Sequence, residues 1–359
     1  MIRVSEMVFA GHPDKFCDQV ADAVIAECVT VDEDAYAQVE VSTWSDQVWL
    51  SGGICTRSPI HKSIDEIVVE TGISVGYTED NWVNARRYQV EDTICQTVDE
   101  PSRWTDKVND QAVVIGWAGY DSKTHYLPPE HFLAHIFREA IIKSCREGDL
   151  AGQGPDGKLM VRMKEQSAGW ELEHILVMLQ QKETTEFAEV CSSVVRTLEN
   201  AYDESRDEDR RWATRWDDVQ LMINPNGPLT NGGSDGDNGQ TGRKLTMDYY
   251  GPRIPIGGGA LSGKHLSHID RIGAYAARDA AVRAVKSGAE ECLVRLAYAP
   301  NKKKPLDIWY EMVGGGSREP AEFFEHSEMV ARYRATTITR EMAQGRHFFD
   351  ENLPWNGQL

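Results

Sequence analysis

The sequence predicts an α/β fold of the mixed (α+β) kind, in three similar subdomains, each a small mixed sheet with packed helices. Three observations carry this. Helical apolar stripes begin three times beside polar or charged residues, at His12 to Lys15, at Glu130 and His131, and at Ser267 to Asp270, and strands accompany each. Strands and helices alternate too loosely for one doubly wound sheet. At 359 residues the chain can bury a sizeable core in two or three compact units. The expected units are 1–98, 108–223 and 224–359, with strands exchanged between them; no residue-level repeat is visible.

In chain order, an apolar lead (Met7, Val8, Phe9) precedes AGHPDKFCDQVADAVIAEC. Pro13 suits a first helical turn, where its missing N–H costs nothing. Phe16, Val20, Ala23, Val24 and Cys28 then fall at helical spacing. Gly11, His12, Asp14 and Lys15 therefore crowd a helix start, where free N–H groups and the dipole favour anions. Asp14 reads either as ordinary dipole complementation or as a ligand to a divalent cation lying between it and a phosphate. Residues 36–43 alternate as a half-buried strand with Glu40 on its polar face, and residues 48–50 pair with it and end at Gly52-Gly53. Residues 80–110, polar and holding Pro101, predict a mobile connection of the kind that forms lids.

Residues 113–117 then read as a buried strand with Asp110 and Gln111 at its mouth. LPPEHFLAHIFREAIIKSC starts a second helix at a proline pair; its His131 and His135 stand four apart but lack the glutamate of the metalloprotease motif, which argues against a metal. GQGPDGKLMVRMK sets Asp156 and Lys158 just ahead of a strand over 159–163. Strands over 171–180 and 219–223 follow, separated by a helix over 185–202 and by DESRDEDRR, expected as a solvated turn. SHIDRIGAYAARDAAVRAV opens a third helix, where Ser267 and Asp270 match a capping pair and Ala274, Ala277, Ala281 and Val285 form a close-packing face. Strands over 292–298 and 306–312 complete the order.

The formal net charge of −19 excludes the broad basic surface of a nucleic-acid groove. An acidic chain that binds a polyanion must concentrate its cations locally. Residues 224–271 do so, in two glycine clusters that each end in a cation: GDNGQTGRK closes on Arg243 and Lys244, and GGGALSGK on Lys264. Glycines admit a bulky anion to backbone N–H groups and the cations bind its oxygens, although such clusters also build plain surface turns. GGALSGKH misses the P-loop pattern twice, with His265 in place of the hydroxyl residue and two prolines in PRIPI where a central strand is required. The seven cysteines are scattered and never form CxxC, as in the reduced thiols of an intracellular protein. No apolar run reaches membrane-spanning length and no signal peptide is visible, so a cytoplasmic protein that binds no membrane is expected.

GHPDKFCDQVADAV, GPDGKLMV, NPNGPLTNGGSDGDNGQTGRK and GGGALSGKHLSHIDRIGAYAARDAA, in this order, resemble the signature segments of S-adenosylmethionine synthetases (methionine adenosyltransferases). The resemblance spans nearly the whole chain and is weakest over 60–92 and in the last fifty or so residues. It implies three pseudo-symmetric subdomains and a homodimer with active sites at the interface, a dimer of dimers being open. It also implies ATP and L-methionine as substrates, two Mg²⁺ and one K⁺. The methionine sulfur would attack ribose C5′ and expel tripolyphosphate, which is then hydrolysed to phosphate and pyrophosphate. By the same resemblance His12 would hydrogen-bond the oxygen leaving C5′, while Lys158, Arg243, Lys244 and Lys264 clamp the polyphosphate. Asp14 and Asp270 would hold magnesium and Glu40 potassium. Asp156 and Asp237 would sit near the nucleoside, Asp237 also near the methionine, with Gln96 and Asp110 at its polar groups.

The departures from the family pattern are Ala10 and Ile54 in place of glutamates, Leu229 in place of the aromatic that flanks adenine, a shortened loop before Asp110, and His268 in place of a lysine at the polyphosphate. Ile54 bears on how the methionine ammonium is recognised. His268 predicts a rate that varies with pH between about 6 and 8, given the ordinary histidine pKa. Two rivals stay open: a same-fold enzyme that uses another thioether or splits tripolyphosphate, and a non-catalytic regulatory paralogue.

Overall fold

The computed structural model describes residues 1–79 and 82–357. Along the chain run β1 (Ile2–Val8), α1 (Pro13–Val31), β2 (Tyr36–Trp44), β3 (Gln47–Thr56), α2 (Ile64–Val75), β4 (Gln89–Val98), α3 (Ser102–Thr105), β5 (Ala112–Gly119) and α4 (Pro129–Glu147). Then come β6 (Gly157–Gln166), β7 (Gly169–Leu179), α5 (Phe187–Glu208), β8 (Gln220–Ile223), β9 (Gly239–Gln240), α6 (Leu245–Asp248), α7 (Ile269–Lys286), β10 (Ala289–Tyr298), β11 (Asp307–Gly314) and α8 (His326–Tyr333).

The strands form three small sheets with orders β1-β6-β7-β8, β11-β10-β5 and β4-β3-β2-β9. Each sheet takes a strand from a distant part of the chain. β1 pairs antiparallel with β6, β5 with β10, and the two-residue β9 with the edge of β2. The mixed α/β class therefore holds, and no doubly wound sheet forms. Buried apolar side chains fall into two clusters, one between α1, α2 and the β4-β3-β2-β9 sheet, the other shared by the remaining two sheets and their helices.

α1 is buried on nearly every side. Phe16, Val20, Val24 and Cys28 face the first cluster, as the apolar spacing requires, while Asp14, Asp18 and Asp22 form a second, polar stripe at four-residue intervals. Such a stripe survives burial only if each carboxylate is paired and hydrogen-bonded. Asp22 receives the Arg271 guanidinium in a two-pronged pair, Nη1 to Oδ1 at 2.8 Å and Nη2 to Oδ2 at 3.0 Å, which ties α7 to α1.

Four expectations are corrected. Within the connection expected over 80–110, whose first residue Asp80 lies outside the described residues, Gln89–Val98 forms β4, parallel to β3. Ile94 is its one buried residue, so no alternation marks it. β3 does not end at Gly52-Gly53 but runs on to Thr56; Gly52 adopts φ +133°, and a Cβ there would fall 2.0 Å from Gln38 O. DESRDE is not a turn but the last part of α5, where Arg206 and Asp203 pair one turn apart. The cap of α7 is His268, not Ser267, whose carbonyl oxygen instead bonds His326.

Arg271→Met strands Asp22 as a buried charge and is expected to cost about 3–5 kcal/mol. Urea unfolding checks this, and a loss below about 1 kcal/mol, the scale of an exposed pair, would contradict it.

Candidate active site

His12 is the N-cap of α1, with extended backbone, and its Nδ1 accepts the Asp14 N–H at 3.2 Å. Asp14, 1 % exposed, accepts the Gln240 N–H at 2.9 Å, is bonded by Lys244 Nζ, and lies 3.5 Å from Arg243 Nε. The first glycine cluster is thus held on the helix start it supplies with cations. One turn on, Asp18 accepts the Gly242 N–H at 2.8 Å and pairs with the buried Lys15, which also reaches Asp248 at 2.6 Å. Lys158 is the second residue of β6, opposite Val8 of β1, and has no ion-pair partner among the described residues. Burial, reinforced by Lys244, Lys158 and Arg243 and opposed by Asp14, pushes the His12 pKa down to about 3. The ring is neutral, and because Nδ1 is an acceptor its proton sits on Nε2, a free donor.

The second glycine cluster is held the same way. Gly263 donates to Asp22 at 2.9 Å and its carbonyl accepts Val39 N–H, in a φ of +79° where a Cβ would strike Val39 O at 2.3 Å. Lys264 bridges Gln38 and pairs with Asp270 at 2.6 Å. His268 caps α7 with the geometry of His12, its Nδ1 accepting the Asp270 N–H at 3.2 Å. His12-x-Asp14 and His268-x-Asp270 are therefore one motif used twice, each aspartate answered by a lysine from a glycine cluster. Sequence reading missed this because only two letters are shared. The third helix start has no such cap: Pro128 offers no side-chain bond, and Glu130 is buried 3.8 Å from Arg253.

Burial and Lys264 push the His268 pKa down to about 3 as well, so the expected titration between pH 6 and 8 is corrected: this ring stays neutral across that range. Asp156 accepts the Gly157 and Gly233 N–H groups at 2.6 and 2.8 Å; its pKa is raised by burial to about 6, with Asp237 adding to the rise. Asp237 is exposed and bonds Asn238 N. Glu40 is exposed on the outer face of β2, its pKa raised by local desolvation against the pull of Lys264. Asp110 and His268 line one cleft of about 200 Å³ with Tyr36, Trp104, Lys107 and His265. Gln96 is exposed on β4, opposite Ile54 in the register. Ile54 is corrected: it is 3 % exposed on the core face of β3, so Gly53, not residue 54, faces outward there.

Among the described residues no group of three or more His, Cys, Asp or Glu could cage a metal. His131 Nδ1 meets Ser5 Oγ at 3.0 Å. Asp14 and Asp270 each offer one carboxylate, now neutralised by a lysine, a donor set that fits magnesium shared with phosphate oxygens and not an all-protein site. All seven cysteines are free, and no described helix is long and apolar enough to cross a membrane.

Four buried histidines, His12, His131, His265 and His268, are held near pKa 3. Unfolded histidine titrates near 6.5, so below that pH the unfolded chain binds more protons and stability falls by up to roughly 1.4 kcal/mol per pH unit for each. Asp156 and Asp248, raised to about 6 and about 7, and Asp18, Glu40 and Glu130, also raised by burial, act in the opposite sense, but the lowered histidines, which include His135, His326 and His347, outnumber them. The urea midpoint is expected to drop between pH 7 and pH 5; an unchanged or higher midpoint would contradict these environments.

Comparison with known proteins identifies the family. Residues 1–98 match the family model for the S-adenosylmethionine synthetase N-terminal domain, and residues 231–357 that for its C-terminal domain. An S-adenosylmethionine synthase of Methylobacterium radiotolerans is 32 % identical over 332 residues, covering 89 % of this chain and 82 % of the relative. One from Clostridium botulinum is 29 % identical, covering 98 % and 95 %. The solved structure of an unusual S-adenosylmethionine synthetase from Campylobacter jejuni shares the fold, with a TM-score of 0.85 at 22 % identity over 99 % of this chain and 97 % of that one. The chain with the twice-used His-x-Asp cap belongs to the S-adenosylmethionine synthetase family of enzymes.

Proposed function

We propose that the protein makes S-adenosylmethionine from ATP and L-methionine, by in-line attack of sulfur on ribose C5′, and then hydrolyses the expelled tripolyphosphate to phosphate and pyrophosphate. One observation carries this reading: a chain of net charge −19 gathers Lys158, Arg243 and Lys244 at the start of α1, around a neutral histidine whose Nε2–H is free. A thioether sulfur needs no general base, so the task is to stabilise charge on the leaving chain. His12 Nε2–H donates to the oxygen leaving C5′, and Lys158, Arg243, Lys244 and Lys264 hold the phosphates. Lys244 and Lys264 exchange their aspartates for phosphate oxygens. Asp14 and Asp270 would hold two magnesium ions and Glu40 a potassium ion, which would supply further positive charge to the site. Asp156 and Asp237 face the nucleoside; Gln96 and Asp110 face the methionine.

The two cation clusters lie apart in one chain. Gln240 pairs with Ser42 and Lys264 with Gln38, so four residues of β2, roughly 13 Å, separate them. We propose that they are half-sites, joined in a homodimer where the first cluster of one chain meets the second of its partner. Trp44 and Trp49, 52 % and 38 % exposed on the outer face of this sheet, support burial of that face in an assembly.

Incubation with ATP, methionine, magnesium and potassium is expected to yield S-adenosylmethionine, phosphate and pyrophosphate in equal amounts; no product across pH and metal conditions would contradict the reading. Lys158→Ala and Asp14→Asn are each expected to cut turnover by about a hundredfold or more, since contacts with developing charge contribute a few kcal/mol. Near-normal rates in both would refute the clamp.

A further inference from the structure

We propose that a cleft between α2 and α4 binds a small amphipathic anion, a compact apolar body that ends in a carboxylate. This site is separate from the reaction proposed above, and none of the cations or carboxylates of the candidate active site lines it. The cleft, about 230 Å³, has apolar walls of Ile73 from α2, Ile142 and Cys145 from α4, and Pro155 from the loop before β6, all half-buried and so within reach of a ligand. Small molecules favour such concave, mostly apolar clefts that carry a few convergent polar groups.

Charge sets the class of ligand. The chain carries 57 acidic residues against 38 basic ones, yet this cleft is lined by Arg146 and Lys182 and by no aspartate or glutamate. The cleft beside His268, by contrast, includes Asp110. Cys145 adds no negative charge, because burial pushes its thiol up to about 12. Neither the Arg146 nor the Lys182 side chain makes a hydrogen bond or ion pair among the described residues. Cations near helix ends often serve the last carbonyls, but here backbone N–H groups already do so. Gly76 N–H donates to Ile73 O at 3.1 Å and Tyr77 N–H to Gly72 O at 2.9 Å at the end of α2, while Gly148 N–H donates to Ser144 O at 2.9 Å and Gly152 N–H to Cys145 O at 3.1 Å at the end of α4. The last of these bonds draws the 148–154 loop against the turn that carries Arg146. Lys182 reaches over the same loop, since a Cβ on Gly152 would fall 3.1 Å from its Nζ. The two cations therefore flank one mouth, where a carboxylate meets charge-assisted donors from both.

The walls are already in place. Pro155 O accepts Gly11 N–H at 3.1 Å, and a Cβ on Gly76 would lie 3.3 Å from Pro155 Cβ. Gln153 Oε1 accepts the Lys182 backbone N–H at 3.0 Å and its Nε2 donates to Thr185 Oγ1 at 3.2 Å, which ties the loop to the segment that carries the lysine. A ligand entering a preformed cleft loses little affinity to ordering it.

Titration of the full-length protein followed by ligand NMR tests this, with 3-phenylpropionate, its neutral amide 3-phenylpropanamide, and acetate as probes, for wild type and for the double variant Arg146→Gln, Lys182→Gln. Both substitutions are at accessible side chains without partners, so the fold is expected to be kept. Wild type is expected to bind 3-phenylpropionate with a Kd of about 1 mM or tighter, the scale for a ligand of roughly eleven non-hydrogen atoms, and to bind the amide and acetate about tenfold more weakly. The double variant should lose about tenfold for 3-phenylpropionate and keep its affinity for the amide. Saturating tripolyphosphate and methionine should leave 3-phenylpropionate bound to wild type. Equal affinity for acid and amide, an unaltered affinity for the acid in the double variant, or displacement by tripolyphosphate or methionine overturns the proposal.

Discussion

Three carboxylates on one face of α1 hold the site together. Asp14, Asp18 and Asp22 each accept a backbone N–H from a glycine cluster, from Gln240, Gly242 and Gly263 in turn. Buried four residues apart, they would repel one another and pay heavily for lost water unless each were compensated. Lys244 with Arg243, Lys15 and Arg271 do this, and two of the three sets come from the glycine-rich segment or the helix after it. The loops cannot relax into solvent without stranding these charges. Both clusters are also stitched to the same edge of β2. Polyphosphate would thus meet walls already in place, the preorganisation that makes electrostatic stabilisation effective.

The same chemistry is used at two helix starts. In each, a histidine accepts the N–H of the aspartate two residues on, which settles its tautomer, and burial keeps it uncharged. A neutral donor can bind a leaving oxygen without needing to lose a proton. His268 therefore offers the second cluster a hydrogen-bond donor and not a fixed charge.

Much of this was legible in the sequence because the signals are local. Helical spacing marked α1, α4 and α7, alternation marked β2, and the glycine clusters with their terminal cations marked the walls. β4 was not legible: an edge strand that buries only Ile94 has no periodicity to read. Nor was the end of α5, since DESRDE is helical through its continuation of an apolar stripe that precedes it. Ile54 was misplaced because facing depends on register, and in β3 a shift by one residue exchanges core for surface. The stripe of Asp14, Asp18 and Asp22 carries no sequence signal of its own. Acids at four-residue spacing on a helix ordinarily point to water, and only the loops folded over them reveal a buried role.

The central claim is that the carboxylate stripe presents two half-sites which are completed only between chains. Coexpression of Lys158→Ala and Lys264→Ala subunits, followed by isolation of the mixed dimer and measurement of S-adenosylmethionine formation, tests it most directly. Each variant alone should be nearly inactive, whereas the mixed dimer should recover activity, because one of its sites combines an intact first cluster with an intact second cluster. Mixed dimers as inactive as either parent would contradict the account and place both clusters in service of a site within one chain.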